Sequence, residues 1–303
     1  MTLPASSLEQ TKPWLGPLML LGGGICIGFA PIGLRLGLDD LGPQGIAFWR
    51  YVFAAPILFI LVLGVERRLP GPPSAAIFVA GTCFALDIGL WHAALTYTTV
   101  ANATFIVNLG NIGVGFLAWL VLKEKPTLIW GIAVLIAVIG AAALSLGGGV
   151  DAKGDIRGDL MALGAAFLVS GYMLFSKIAR GRMGALEVIF WLTVVEAVVG
   201  GIVTLVMGEQ IFPAQLSGFL VPLGLALLVQ VGGQGLIIAG LGRTPAAIAG
   251  IIVLIQPVVA AAISWQLFDE PLSVLQGGGA ALILFGIFLS QKRQRSTRTV
   301  KTS

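Results

Sequence analysis

The chain has 303 residues, of which 57% are apolar and only 11% are charged. This composition excludes a soluble globular protein of one or two domains, because too few polar side chains remain to cover its surface. The formal net charge of +4 is small and requires no nucleic-acid partner. The composition therefore indicates an integral membrane protein that crosses the bilayer many times.

Ten apolar stretches have the length of roughly 20 residues that a helix needs to cross a bilayer, and short polar or Pro/Gly segments separate them. We therefore predict an all-α membrane protein with ten transmembrane helices in a single membrane domain. The first stretch is interrupted by Gly22, Gly23 and Gly24, and we expect it to be a helix rather than a removed signal peptide. The predicted spans are 14–35, 44–64, 74–95, 98–122, 127–146, 159–179, 187–207, 219–240, 245–268 and 271–290.

Lys and Arg are distributed unevenly among the segments that connect these spans. With the amino terminus inside, fourteen of the eighteen lie on the cytoplasmic side; Arg35, Lys153 and Arg157 lie outside, and Arg50 lies within a helix. Because cytoplasmic segments carry the excess of positive charge, we predict that both termini are cytoplasmic. The basic tail, residues 291–303, is expected to contact anionic lipid headgroups.

The second half of the chain repeats features of the first half at a constant spacing. Trp119 and Trp265 are 146 residues apart, and so are Glu124 and Glu270. Each copy holds five predicted helices, and because this number is odd, the second copy must enter the membrane in the opposite orientation. Inverted repeats of this kind carry alternating access in many secondary transporters. The two predicted repeats are residues 14–146 and 159–290.

Both copies carry an acidic residue close to a proline after their fourth helix. These motifs are Trp119, Lys123, Glu124, Lys125 and Pro126 in the first copy, and Trp265, Asp269, Glu270 and Pro271 in the second. With ten helices in two inverted halves, they resemble the EamA-type branch of the drug/metabolite transporter superfamily over about residues 14–290. Within this branch the chain is similar to bacterial aromatic amino-acid exporters of the YddG type. The resemblance implies a multi-pass protein of the bacterial inner (plasma) membrane, and the export direction rests on it alone.

The second and third helices carry charged side chains inside the membrane. Arg50 lies about two turns from the outer end of its helix, where it could pair with an acid or extend to the surface. Asp87 and Trp91 are four residues apart and share a face, and His92, the only histidine, follows. Asp87 could accept a substrate ammonium, pair with Arg50 or act as a coupling proton site; these alternatives stay open.

The fourth and ninth helices carry amides near their middle. Asn108 and Asn111 are three residues apart on one face, and the spacing of 146 places Gln256 and Pro257 opposite Gly110 and Asn111. Membrane amides either join helices or line a wet cavity. We predict that polar residues and a helix break occur at this depth in both halves, where a transporter of this architecture holds its substrate.

The remaining candidates lie in the sixth, seventh and eighth helices. Tyr172 and Trp191 are aromatic, and Glu196 is a second intramembrane carboxylate that could carry a coupling proton. Gln230 and Gln234 lie one turn apart in a glycine-rich helix. The predicted substrate-binding residues are Asp87, Trp91, His92, Asn108, Asn111, Tyr172, Trp191, Gln230, Gln234 and Gln256, and the candidate coupling sites are Asp87 and Glu196.

Several kinds of chemistry lack their usual residues in this sequence. It has no GxxxxGK[ST] phosphate loop, no HExxH and no GxSxG, and Cys26 and Cys83 have no metal-type spacing. We therefore expect no catalytic residues, cofactor or metal, and we expect neither an intramembrane enzyme nor an ion channel.

We predict a secondary transporter that exports amino acids, aromatic ones first, or related small metabolites by alternating access. The glycine-rich first, eighth and ninth helices are its expected moving parts. The alternative is a flippase, or an exporter for a cationic drug, a nucleotide sugar or a lipid-linked head group. The fifth and tenth helices are almost free of polar side chains, which makes them scaffold helices or the surface of a homodimer.

Overall fold

The computed structural model describes residues 12–38, 40–98, 100–146, 155–268 and 272–291, and every regular element in these ranges is helical. Ten helices are long and apolar enough to cross a membrane, which confirms the predicted number, and each bound lies within three residues of the predicted one. Residues 292–303 of the basic tail and Glu270 lie outside the described residues. The helices are α1 (Leu15–Gly37), α2 (Pro43–Glu66), α3 (Ala75–Ala94), α4 (Val100–Leu122), α5 (Leu128–Leu146), α6 (Ile156–Arg180), α7 (Ala185–Val206), α8 (Leu216–Leu241), α9 (Ala246–Phe268) and α10 (Val274–Gln291).

Two of these helices are interrupted near their middle. The first segment of α1 ends at Ile27 and that of α9 ends at Val253. Pro31 and Pro257 lie four residues further on and have no N–H to donate to these carbonyls, so the hydrogen-bond ladder fails there. The predicted break in α4 is wrong: α4 is continuous, because Asn111, which corresponds to Pro257, keeps its N–H.

The helix α8 contains an unusual segment. Its residues Ala226–Gln234 form a π-helix, in which hydrogen bonds span five residues instead of four. Gln230 and Gln234 are four residues apart and therefore lie on nearly the same face of this segment. Segments of this type are frequent at functional sites.

The helices α5 and α10 pack closely against each other through small residues. A Cβ on Gly140 would lie 2.7 Å from the carbonyl oxygen of Gly279, and a Cβ on Gly286 would lie 3.0 Å from that of Ala133. These pairs occur in opposite order along the two helices, so α5 and α10 run antiparallel. Their small-residue faces are thus covered within the chain, and the homodimer stays a prediction.

The other helices surround a central cavity. α3 packs against α6 and α7, α4 packs against α6 and α9, and α1 packs against α8 and α9. α2 contacts α7 and α8. This arrangement places polar residues of α3, α4, α6, α8 and α9 around the central cavity.

Candidate functional site

A cavity of about 210 Å³ lies between seven helices. All helices except α5, α7 and α10 contribute side chains to its lining. Its lining residues lie in the second halves of α1, α3, α6 and α8, in the first halves of α2 and α4, and around the middle of α9, so the cavity lies near the middle of the bundle. The wall is mainly apolar, which is typical of sites for small organic ligands. The polar or aromatic side chains in it are Arg50, Phe84, Asp87, Trp91, Thr104, Asn108, Asn111, Tyr172, Gln234 and Gln256.

Seven of the ten predicted substrate-binding residues line this cavity. Helical spacing accounts for the pairs on α3 and α4, because side chains three or four positions apart share a face. Tyr172 and Gln234 also contact each other, since the tyrosine hydroxyl donates to Oε1 of Gln234 at 2.8 Å. Their role in binding remains a prediction. The seven are Asp87, Trp91, Asn108, Asn111, Tyr172, Gln234 and Gln256.

The other three predicted residues lie elsewhere. His92 lines a smaller neighbouring cavity, and its Nδ1 lies 2.8 Å from Nε2 of Gln44. Gln230 is fully buried and donates through Nε2 to Oε2 of Glu196 at 2.7 Å. Trp191 is directed toward the connection between α2 and α3. The prediction chose these side chains by residue type and by their position within one helix, and neither determines which neighbour a helix face meets.

The connection between α2 and α3 is held against the start of α7. Nε1 of Trp191 donates to the carbonyl oxygen of Gly71 at 2.8 Å. The carboxylate of Glu187, in the first turn of α7, binds Arg68 at 2.9 Å and accepts the N–H of Gly71. The hydrogen bond to Glu187 raises the pKa of Arg68, and Glu66 adds a smaller effect. Trp191 therefore has a structural contact that explains its position.

We expect Trp191→Phe to lower the melting temperature of the purified protein without changing substrate affinity. The variant loses one hydrogen bond, which contributes about 1 kcal/mol, and Trp191 does not line the cavity. Trp91→Phe is the matched change inside the cavity, and there we expect a weaker substrate affinity. Thermal unfolding and the KM for uptake distinguish the two. A raised KM in Trp191→Phe at unchanged stability would contradict this assignment.

Arg50, a basic side chain, and Asp87, an acidic one, line the same cavity without forming an ion pair. Arg50 is 7% exposed and Asp87 is 4% exposed, and no ion pair joins them in the described part of the chain. Nη2 of Arg50 donates to the hydroxyl of Tyr51 at 2.8 Å, while Nε of Arg50 and Oδ1 of Asp87 are buried without a hydrogen-bond partner. Arg50 therefore does not extend to the surface, and both charged groups retain unused hydrogen-bonding capacity.

Among the polar and aromatic cavity residues, the sequence did not identify Arg50, Phe84 and Thr104 as members of the binding site. Phe84 packs beside Tyr172, with ring centroids 4.7 Å apart, and carries no polar signal in the sequence. Arg50 did carry a signal, because a charge inside a membrane span is expensive and marks function or pairing. Arg50 also lies only about two turns from the helix end, so extension of its side chain to the surface was as well supported by the sequence as pairing with an acid.

The sequence model of one known family matches the chain twice, over residues 14–146 and 156–291. Ten apolar helices around a central cavity, together with this match, define a multi-pass membrane transporter of small solutes. The chain belongs to the EamA-like transporter family. This membership points to a transporter rather than an enzyme.

Relatives of similar length occur in Bacillus subtilis (strain 168). The uncharacterized transporter YwfM is 28% identical over 264 residues, which cover 85% of this chain and 86% of the relative. The uncharacterized transporter YetK is 24% identical over 256 residues, covering 80% and 76%. A solved crystal structure with 15% identity has a TM-score of 0.77 and covers 91% of this chain and 97% of its own. The last similarity establishes the fold alone.

Proposed function

We propose that this protein is a secondary transporter that exports amino acids with apolar or aromatic side chains across the bacterial inner membrane. The observation that carries the proposal is the presence of unpaired Arg50 and Asp87 in one mainly apolar cavity. An α-amino acid carries both countercharges, a carboxylate and an ammonium, so one ligand satisfies both side chains. A ligand with a single charge leaves the other side chain unpaired at a cost of several kcal/mol, roughly.

The size and wall of the cavity favour such a ligand. Its volume of about 210 Å³ is below the roughly 300–1,000 Å³ of sites for drug-sized molecules. Phe84, Trp91 and Tyr172 offer aromatic surfaces to an apolar side chain, and Asn108 and Gln256 offer amides. A lipid-linked head group or a nucleotide sugar exceeds this volume, and a cationic drug leaves Arg50 without a countercharge.

Two inverted repeats would give this site alternating access. Support comes from a pair of contacts between α2 and α7. Nε1 of Trp49, six residues after the start of α2, donates to the carbonyl oxygen of Ile211, five residues after the end of α7. Nε1 of Trp191, six residues after the start of α7, donates to Gly71, five residues after the end of α2. Equivalent contacts at opposite ends are what a two-fold axis in the membrane plane produces.

Asp87 also gives a means of coupling export to an inward proton gradient. A carboxylate holds either a proton or a substrate ammonium, so the two ligands compete at this side chain. Competition for one site couples two fluxes in opposite directions, because each ligand leaves the site as the other enters. Glu196, the second candidate, does not line the cavity, and neither does Gln230, which donates to it.

Reconstituted liposomes test the proposal. Purified protein should take up labelled phenylalanine in a saturable manner, and an opposing proton gradient should increase the accumulation. Unlabelled tryptophan or leucine should compete, whereas phenethylamine and 3-phenylpropanoate, which each carry one of the two charges, should compete at least about tenfold more weakly. If folded protein takes up no more phenylalanine than empty vesicles do, amino-acid transport is refuted. Lipid-linked and cationic substrates are then the next to test.

Alternating access also requires a closed inner end, and hydrogen bonds that join three helices would close it here. Nζ of Lys177 on α6 donates to the carbonyl oxygen of Thr244 at 2.6 Å and lies 3.3 Å from Oε1 of Glu124 at the end of α4. Oε2 of Glu124 accepts the N–H of Ala246 at 3.0 Å, at the start of α9. These bonds join α4, α6 and α9 at the predicted inner end.

We expect Lys177→Met to increase access to the cavity from the inner side about fivefold. Losing the bonds of one partly buried charge removes about 1 kcal/mol from the closed state. The measurement is the labelling rate of Asn111→Cys by an impermeant thiol reagent, in a protein with Cys26→Ala and Cys83→Ala. Arg182→Met, a matched change at the same end, should leave the rate unchanged. Equal rates in both variants would remove these bonds from the closing mechanism.

A further inference from the structure

A second cavity of about 70 Å³ adjoins the first on its predicted outer side. Arg50 and Trp91 line both cavities, and His92, the next residue of α3, lines only the smaller one. The volume of this smaller cavity is one third of that of the first cavity, so the space fits one chemical group of a solute better than the whole solute. The two cavities together therefore have room for the main part of a small solute and for one further chemical group of that solute.

The hydrogen bonds of Gln44 determine which nitrogen of His92 carries the proton. Nε2 of Gln44 donates to the carbonyl oxygen of Ile88 at 3.3 Å, which identifies this end of the amide as the nitrogen, and it lies 2.8 Å from Nδ1 of His92. Because an amide nitrogen only donates, Nδ1 accepts, and the proton of the neutral imidazole is on Nε2. Nε2 of His92 is thus a donor.

Three N–H donors without acceptors belong to residues of the small cavity. Nε of Arg50 and Nε1 of Trp91 are buried and unpartnered, and Nε2 of His92 has no hydrogen-bond partner within the described ranges. The imidazole and indole rings are adjacent, with centroids 5.0 Å apart. No carboxylate lines this cavity in the part of the chain that the structure describes. An anionic group with two acceptor oxygens is the ligand that such a donor set binds best.

We propose that the small cavity binds the carboxylate of the substrate, with Arg50, Trp91 and His92 as its donors. This proposal rests on the proposed amino-acid transport and assigns an orientation to the ligand. The substrate ammonium then meets Asp87, which lies one turn before Trp91 on the same face of α3, and the side chain occupies the larger cavity. His92 becomes a residue that selects α-amino acids over the corresponding amines.

Two substitutions of His92 separate this role from a structural one. His92→Asn keeps an acceptor near the position of Nδ1, facing Gln44, and removes the Nε2 donor. His92→Gln keeps an N–H donor near the position of Nε2 and removes the acceptor that faces Gln44. We expect His92→Asn to raise the KM for phenylalanine about tenfold and His92→Gln to change it less than about threefold. Inhibition by phenethylamine, which has no carboxylate, should be the same in both.

A purely structural role predicts the reverse order, because His92→Gln breaks the bond to Gln44. That order would overturn the proposed subsite. Equal losses of affinity for phenylalanine and phenethylamine would overturn it too. Binding of 3-phenylpropanoate, measured by tryptophan fluorescence in detergent, keeps the question separate from transport: His92→Asn and Trp91→Phe should weaken it, and Asp87→Asn should not. If both subsite variants bind 3-phenylpropanoate as tightly as wild type, the proposal is overturned. If both bind it more weakly but the wild-type protein does not take up phenylalanine, the subsite is retained and only the amino-acid function is refuted.

Discussion

Asp87→Asn is expected to raise the KM for phenylalanine about 10- to 100-fold and to abolish the stimulation of transport by a proton gradient. A hydrogen bond to a charged group contributes about 1.5–3 kcal/mol, and 1.4 kcal/mol corresponds to a factor of about ten in affinity. Oδ1 of Asp87 is buried without a partner, so the wild-type carboxylate has this capacity free for an ammonium. The neutral amide of Asn can neither pair with an ammonium nor exchange a proton.

Two controls make the Asp87 result specific. Glu196→Gln changes the other intramembrane carboxylate, and because Glu196 does not line the cavity, we expect the KM for phenylalanine to stay within about threefold of wild type. Competition by 3-phenylpropanoate, which has no ammonium, should be equal in wild type and Asp87→Asn. If Asp87→Asn keeps the wild-type KM, the ammonium site is elsewhere. Loss of proton stimulation in Glu196→Gln alone would transfer the coupling role to Glu196.

The positions of the helices could be predicted because each depends on a local property. A span needs about 20 apolar residues, and the ends of α2, α4 and α6 at Glu66, Leu122 and Arg180 fall where polar residues or glycine resume. The break in α9 was also predictable, since Pro257 removes a backbone donor wherever it occurs in a helix. The π-helix of α8 was not predictable. It has no proline, and its form depends on how that helix meets its neighbours.

The candidate site could be predicted only in part, because its composition depends on contacts between distant residues. Asn108 and Asn111 reach the cavity because their spacing places them on one face. Trp191 does not, because its indole meets Gly71, which lies 120 residues away in sequence. The tautomer of His92 depends in the same way on Gln44. No periodicity in a single helix records such partners, whereas Asp87, which lines the cavity, is identifiable by its charge alone.

Gly250→Ala is expected to destabilise the protein by about 1–3 kcal/mol, as overpacking does, and to reduce transport with it. Gly250 lies in the first segment of α9, where α9 crosses α4, and a Cβ there would overlap the carbonyl oxygen of Asn111 and lie 2.9 Å from Val114. The carbonyl belongs to a continuous helix and cannot rotate away. The two helices must separate, and because the side chain of Asn111 lines the cavity, the substrate site changes too.

Gly278→Ala is the matched control, because a Cβ on Gly278 in α10 meets no atom within 4 Å. Alanine is favoured over glycine inside a helix by up to about 1 kcal/mol, so the melting temperature of this variant should stay the same or rise. Opposite shifts in the two variants, measured by thermal unfolding in detergent, attribute the effect to the contact between α4 and α9. A fall of equal size in both would mean that glycine serves backbone flexibility at these positions, and that close approach of the helices does not explain Gly250.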